Sequence, residues 1–289
     1  MPFVRRMLML CCCALCCLSS CARATTEAAP PAPGSALFIN VGRADAALFF
    51  LANGAYLVDT GSSDSYDALA RALETYHVTR LRAVFVTHTD KDHVGGLKKL
   101  LKSDVTVEQV YAPAFFCDTT EEKHPARKQA EKRSVPFAWL SAGDVVQAGE
   151  GTSFTVLGPL RRDEYDEDNN SLVLLLKTPE GDMLLAADMK QSAEIDLLAA
   201  NAVPQAAVLK VGRHGKDDAS SYAFLNAVRP QLAIISTNTV EDGKTASWKV
   251  LALLERVGAL TALTQDASCG VLVTLSGGTA SAQAADYTP

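Results

Sequence analysis

The chain has 289 residues, 48% of them apolar, and carries 27 basic against 33 acidic side chains. That length and apolar fraction are ample for one large hydrophobic core. The acidic balance excludes a protein that binds nucleic acid nonspecifically through clustered lysine and arginine. If the protein acts on a phosphate ester, a bound metal must supply most of the neutralising charge.

The first twenty residues are typical of an export signal. Arg5 and Arg6 precede an apolar stretch, residues 7–18, that is too short to cross a bilayer as a helix. Leu18-Ser19-Ser20-Cys21 is similar to a bacterial lipobox, whose cysteine becomes the lipidated first residue. The alternative is an ordinary cleaved signal that happens to contain cysteines.

From this segment we predict the organisation of the chain. Residues 1–20 are a lipoprotein signal peptide, residues 21–34 a Pro/Ala-rich tether, and residues 35–289 one folded domain. The protein is then exported and held through lipid on Cys21 at a membrane, facing the periplasm or the cell exterior. Removal of the signal leaves 25 basic against 33 acidic residues.

Eight cysteines suggest a disulfide framework, but their positions argue against it. Six of them lie at or before Cys21, where cysteine serves as a small apolar residue. Cys117 and Cys269 remain, and the sequence leaves open whether they form a bridge.

The first half of the domain predicts short strands followed by helices. Apolar runs at 36–41, 46–52 and 55–61 predict three strands, the last two joined at Asn53-Gly54. Helical spacing or β-alternation then predicts, in order, a helix at 64–78, a strand at 81–87, a helix at 96–103, a strand at 105–112 and a helix within the charged run 119–134.

The second half repeats this character. Strands are predicted at 154–159, 171–178, 182–188, 205–212 and 231–237, helices at 191–201, 220–228 and 245–258, and a pair of strands before a frayed polar tail at 276–289. Two strand-rich halves that each end in helices predict a mixed α/β domain, with two sheets packed face to face and helices outside.

Residues 86–96, VTHTDKDHVGG, predict a metal site. If the backbone stays extended, His88, Asp90 and Asp92 project to one side, and His93 follows as the chain turns into two glycines. The alternative is a polar loop whose acids cap the next helix. Four ligand-type residues in six positions favour the metal site.

Several stretches together resemble a known family. HTDKDHVGG resembles the H-x-H-x-D-H signature of the metallo-β-lactamase superfamily, with aspartate at its second position. GRADAALFFLANGAYLVDTG, DNNSLVLLLKTPEGDMLLAAD and LKVGRHGKDDASSYAFLNAVRPQLAIIS follow in the order found in the metallo-hydrolase-like domain of ComEC-type DNA-uptake proteins. The likeness covers most of residues 36–276. It implies a four-layer αββα sandwich with the site at the strand ends between the sheets.

The resemblance also implies roles for individual residues. Asp59 would orient the site by hydrogen bonds, Asn170 would face it, and Asp188 would be the bridging carboxylate unless it caps the next helix. The implied metal ligands are His88, Asp90, Asp92, His93, Asp188 and His214. They would hold one or two divalent ions, and the many carboxylates favour manganese or magnesium over zinc.

The chain departs from the family pattern in three places. The middle histidine is missing, because the only histidine between the first cluster and Asp188 is His124, which we predict to lie on the surface. AAD replaces the usual TGD. Arg213 replaces the first histidine of H-H-G, and strict strand alternation would turn Lys210 and His214 inward and Arg213 outward.

These features predict a lipid-anchored, exported, metal-dependent hydrolase of phosphodiesters. Its substrate would be nucleic acid or a smaller phosphodiester. A metal-held hydroxide would attack phosphorus, Asp92 or Asp188 would orient it, and Lys210 would neutralise charge on the phosphate. Lys210 could instead only form an ion pair with the site carboxylates. The alternative function is a binding lipoprotein that keeps the fold and has lost turnover. No protein partner is predicted.

Overall fold

The computed structural model describes residues 31–118 and 120–287. The predicted signal peptide, Cys21 and residues 21–30 of the tether lie outside the described residues. Within the described residues, no helix combines the length and the apolar character that a membrane span requires.

The described chain contains sixteen strands and seven α-helices. The strands are β1 Ser35–Ile39, β2 Ala47–Leu51, β3 Gly54–Val58, β4 Arg80–Phe85, β5 Thr106–Val107, β6 Val110–Pro113, β7 Phe137–Leu140, β8 Val145–Gln147, β9 Ser153–Gly158, β10 Val173–Thr178, β11 Gly181–Leu185, β12 Val208–Lys210, β13 Leu232–Ile235, β14 Leu260–Leu263, β15 Gly270–Ser276 and β16 Thr279–Ala285. The helices are α1 Tyr66–Thr75, α2 Lys91–Val94, α3 Leu97–Leu100, α4 Pro125–Glu131, α5 Gln191–Ala199, α6 Tyr222–Val228 and α7 Trp248–Arg256.

The strands form two sheets. The first has the order β16-β15-β1-β2-β3-β4-β6-β7, with β5 also paired to β4, and the second has the order β14-β13-β12-β11-β10-β9-β8. Strands β3, β4, β6 and β7 run parallel to one another, as do β11, β12, β13 and β14. The carboxyl ends of each parallel group therefore meet at one edge of its sheet, which is where ligands bind in open α/β sheets.

Three buried clusters define four layers. The cluster between the sheets includes Phe38, Phe49, Phe85, Phe154 and Leu174. A second cluster packs α1, α3 and α4 against the outer face of the first sheet, and a third packs α5, α6 and α7 against the outer face of the second. The structure confirms the predicted αββα sandwich, and burial of apolar surface on both faces of each sheet is what stabilises it.

Two details differ from the sequence-based expectation or go beyond it. The predicted frayed tail is wrong over Thr279–Ala285, because these residues form β16 and pair with β15 along their length. Two left-handed glycines, Gly277 and Gly278, make the turn that brings them back. Cys117 and Cys269, whose pairing the sequence left open, are both free thiols.

Candidate metal centre

The His88–His93 segment turns earlier than its sequence suggests. Strand β4 ends at Phe85 and α2 begins at Lys91, with Val94 N–H donating to Asp90 O, so Asp92 and His93 lie on a helical turn. The extended backbone therefore ends at Asp90, and Asp92 does not share it. Asp90 occupies the N-cap position, yet its side chain makes no capping bond to the described helix, which removes the capping alternative.

A tight contact with the end of β3 requires the second glycine. A Cβ on Gly96 would lie 2.2 Å from Thr60 O, closer than any side chain tolerates. Thr60 N–H in turn donates to His93 O at 2.8 Å. The glycine therefore lets β3 and α2 touch, and this contact places His93 beside Asp59.

Asp59 supports the two imidazoles of the cluster on their Nδ1 sides, His93 directly and His88 through Thr87. Its Oδ1 accepts from Thr87 N at 2.8 Å, and its Oδ2 accepts from Thr87 Oγ1 and from His93 Nδ1, each at 2.8 Å. Thr87 Oγ1 also lies 3.0 Å from His88 Nδ1. With Nδ1 of both rings engaged in this way, Nε2 of both is left with its lone pair free for a cation.

His214 and Asp188 arrive from the second sheet on left-handed backbone. Ala187, Arg213 and His214 have φ of 47°, 50° and 53°. His214 Nδ1 lies 3.1 Å from Ser236 O, and its Nε2 lies 3.5 Å from Asp188 Oδ2 and 3.7 Å from Asp92 Oδ2. His93 Nε2 lies 3.4 Å from Asp188 Oδ1. We call Asp92, His93, Asp188 and His214 the inner half of the centre.

The route of His214 into the site differs from the predicted one. Strand β12 ends at Lys210, so strand alternation does not extend to His214. The left-handed turn at Arg213 and His214 directs the His214 side chain inward instead. Arg213 points away from the inner half, since its Nε donates to Asp168 Oδ2 at 2.8 Å and its guanidinium also pairs with Asp218.

A second group of ligand atoms surrounds His88. Its Nε2 lies 3.9 Å from Asp168 Oδ1 and 4.0 Å from Asp90 Oδ2. One oxygen each from Asp168 and Asp188 and one nitrogen of His88 lie within 4.8 Å of one another. We call His88, Asp90 and Asp168, with Asp188 shared, the outer half. Asp168 thus stands beside His88 in a chain that lacks the family's middle histidine.

The donor set fits a cation. Across residues 31–118 and 120–287, buried polar atoms without a hydrogen-bond partner include His88 Nε2, His93 Nε2, His214 Nε2, Asp188 Oδ1 and Asp45 Oδ1. A buried, unpaired polar atom costs about 1–3 kcal/mol. Five such atoms in one place would therefore be strongly destabilising without a ligand. Imidazole nitrogen and carboxylate oxygen are the donors that divalent metals take.

The electrostatics of the inner half also favour a cation. Burial raises the pKa of Asp188, but the charges of His214 and His93 outweigh it and hold that pKa well below its usual value. Burial lowers the pKa of His93, and Asp188 and Asp59 raise it by more, to well above its usual value. Carboxylates that stabilise a proton on His93 stabilise any cation there, so protons and a metal compete for the site.

Lys210 lies where it cannot reach a substrate. Its side chain is buried, and its Nζ donates to Asp45 Oδ2 at 2.8 Å and to Val211 O at 3.2 Å. Of the two predicted roles, these contacts agree with the ion pair and not with a contact to phosphate. The partner, however, is Asp45, which the sequence analysis did not assign to the site.

Two further side chains lie away from their expected places. His124, predicted on the surface, is 1% exposed and packs its ring against Phe116 and Trp139 at centroid distances of 4.9 Å each. The aromatic neighbours explain the error, since the charged run hides an inward-facing histidine. Asn170 bonds to the backbone of Asp163, so it ties the loop that carries Asp168 instead of facing the imidazoles.

Comparisons with known proteins agree with this geometry. The profile of the metallo-beta-lactamase superfamily matches residues 40–239. ComE operon protein 3 of Bacillus subtilis is 30% identical over 244 residues, covering 77% of this chain and 31% of that protein. Competence protein ComA of Neisseria gonorrhoeae is 29% identical over 217 residues, covering 73% and 28%. The chain thus spans about a third of the length of these relatives.

A solved structure with a similar fold is that of zinc-bound PqqB from Methylobacterium extorquens. It matches with a TM-score of 0.56 and 12% identity, over 83% of this chain and 100% of that one. At that identity the match shows the fold alone.

Proposed function

This chain belongs to the metallo-beta-lactamase superfamily, and from that premise we propose that it is an exported, lipid-anchored, metal-dependent hydrolase of phosphodiesters. The observation that carries the proposal is the convergence of unpaired, buried ligand atoms from both sheets on one centre, which borders solvent at Asp92. A divalent ion held there would act as a Lewis acid and lower the pKa of a water molecule.

The residues proposed to hold the ions are those of the two halves of the centre. Asp188 is common to both, which suits a carboxylate shared between two neighbouring cations. Manganese or magnesium is proposed because the set is rich in carboxylates and has no thiolate, although the three imidazoles would also suit zinc, the metal bound to PqqB.

Asp92 is proposed to act on the reacting water. Its side chain is 30% exposed, whereas those of His93 and Asp188 are at most 9% exposed, so Asp92 borders both the centre and solvent. A carboxylate in that place can orient a water molecule and accept its proton.

A cleft beside Asp92 offers room for substrate. A cavity of about 630 Å³ is lined by Asp92 together with Arg43, Lys91, Asp64 and Glu241. Arg43 and Lys91 are exposed and make no ion pair with a described residue. We propose that they contact the phosphate next to the scissile one, while the metal compensates the acids around it.

Nucleic acid is the proposed substrate class. The chain resembles ComEC-type DNA-uptake proteins along most of its length, and the relatives it matches carry the names ComE operon protein 3 and competence protein. Because the chain spans about a third of those proteins, this substrate remains part of the proposal.

Export and anchoring rest on residues 1–21 alone. Cys21→Ser should release the protein into the soluble fraction or leave it unprocessed, because lipid chains stabilise membrane attachment by about 0.8 kcal/mol per buried methylene. Recovery of a processed, acyl-bearing Cys21→Ser protein would contradict the lipid site.

The catalytic proposal is tested with the full-length chain, purified in detergent without chelator. We expect bound metal by elemental analysis and, with manganese, magnesium or zinc added, cleavage of both bis(p-nitrophenyl) phosphate and a single-stranded DNA oligonucleotide. Arg43→Gln combined with Lys91→Gln should raise KM for the oligonucleotide about tenfold, since each lost phosphate contact weakens binding. KM for the small ester should change little.

A second candidate function is a binding lipoprotein without turnover. It is favoured by the pairing of Asp168 with Arg213 and Lys190, which neutralises a carboxylate of the outer half. Metal binding without cleavage of either substrate under any of the three metals would support this candidate against the hydrolase.

A further inference from the structure

Asp45 lies beside the two imidazoles of the inner half, and one of its oxygens is within 4.8 Å of a ligand atom of each of His93, Asp188 and His214. Its Oδ1 is 3.9 Å from His214 Nδ1, and its Oδ2 is 4.0 Å from His93 Nδ1. The Nε2 atoms of both rings face Asp188 instead. Both distances exceed a hydrogen bond, so Asp45 acts on the two rings through charge, and its Oδ1 stays without a hydrogen-bond partner among the described residues.

The backbone of Asp45 is fastened to the same segments that carry the inner half. Its N–H donates to Asp92 O at 3.1 Å, and its carbonyl accepts from Gly61 N at 2.8 Å. A carboxylate fixed in this way beside the imidazoles contributes negative charge that stabilises a cation in the inner half. Asp45 thus belongs to the support of the centre.

Lys210 offsets the free-energy cost of burying the Asp45 carboxylate. Asp45 and Lys210 are both 5% exposed, and Nζ contacts Oδ2 at 2.8 Å. An unpaired charge at either position would be strongly destabilising. The bond occupies one carboxylate oxygen and leaves Oδ1, which has no hydrogen-bond partner in the described chain, turned to the His214 side.

We propose that Lys210 and Asp45 form a buried supporting pair: Lys210 binds one oxygen of the Asp45 carboxylate and fixes it beside His93 and His214, so that its unpaired oxygen adds negative charge where the inner half would hold a cation. The inference rests on the metal centre of the proposed function. It gives Lys210 a part in metal binding without any contact to substrate.

The pair is tested by removing its charges singly and together. Asp45→Asn leaves a buried ammonium without its carboxylate, and Lys210→Met leaves a buried carboxylate without its ammonium. Each should lower the melting temperature of the metal-free protein and weaken manganese binding, by about 10- to 100-fold for Asp45→Asn. Manganese affinity is measured by titration calorimetry on the full-length chain in detergent.

The double variant Asp45→Asn/Lys210→Met separates positioning from stability. With no unpaired charge left, its melting temperature should recover toward that of the unmodified protein. Its manganese affinity should stay at least tenfold weak, because the negative charge of Asp45 beside the inner half is missing. Leu254→Ala, in the distant core under α7, is the matched control: it should lower the melting temperature and leave the affinity unchanged.

Two outcomes would overturn the inference in distinguishable ways. If the unmodified chain binds no manganese, magnesium or zinc, the metal centre fails and the pair loses its role with it. If the unmodified chain binds manganese and the double variant regains affinity together with stability, the pair is only structural and the metal centre stands.

Discussion

The inner and outer halves of the centre are supported in opposite ways. In the inner half, two buried imidazoles are backed by oxygen atoms of Asp59 and Ser236, with the Asp45 carboxylate beside both. In the outer half, His88 is backed by the Thr87 hydroxyl, and Asp168 Oδ2 is bound by Arg213 and Lys190 at 2.8 and 2.9 Å.

This difference indicates where an ion is held more tightly. The carboxylates of Asp59 and Asp45 concentrate negative charge around the inner half, whereas Arg213 and Lys190 neutralise part of the charge of Asp168 in the outer half. Asp90 adds little compensation because its side chain is 51% exposed and its charge is screened by water. We therefore expect one tightly bound and one weakly bound ion.

Removing the shared carboxylate should have the largest effect. Asp188→Asn takes a ligand from both halves, so we expect metal content near zero and a turnover loss of about a thousandfold or more. Elemental analysis and the phosphodiesterase assay measure both effects. Asp182→Asn, on strand β11 that leads to Asp188 and away from the centre, is the control. Wild-type metal content in Asp188→Asn would contradict the shared-ligand geometry.

Single imidazole variants should distinguish the two halves. His214→Gln should weaken the tighter manganese site by about 100-fold, whereas His88→Gln should affect mainly the weaker one. Calorimetry with a two-site fit resolves the two affinities. Equal losses in the two variants would remove the asymmetry and favour a single ion shared by all the imidazoles.

The fold was largely predictable because it follows from periodicity. Continuous apolar runs such as 171–178 mark strands that are buried on both faces, and the two strand-rich halves indicate two sheets. The cluster His88–His93 was recognisable because its donors are close in sequence. What the sequence could not show was the left-handed turn at Arg213 and His214, since helix and strand periods carry no information about such turns.

Asp45 and Asp168 were missed although both lie in the segments that matched the family. Each looks like an ordinary polar residue in a loop, next to Arg43 and Asn169 respectively. Their roles depend on contacts over long sequence separations: Asp45 with Lys210, and Asp168 with His88. Such contacts follow from topology, and only the packed sheets bring them together. His124 was misplaced for a related reason, because its aromatic neighbours come from separate strands and loops.

The smallest expected effect is that of a substitution at His124, which lies on the side of the molecule that supports the outer half. Glu167 bonds to Cys117 N and to Thr89, next to Phe116 and His88, and His124 packs on Phe116. Burial lowers the pKa of His124 to about 4, and Glu167 is the charged group that opposes this shift.

The folded protein therefore binds this proton more weakly than the unfolded chain, whose histidine titrates near 6.5. The contribution to stability is complete above about pH 6.5 and is lost as the pH falls from there toward 4. Between pH 8 and pH 5 this amounts to about 2 kcal/mol, or roughly 4–8 °C in melting temperature. His124→Phe should reduce the acid-induced drop of the metal-free protein by that amount. An equal acid-induced drop in His124→Phe would show that the acid sensitivity arises in the centre itself.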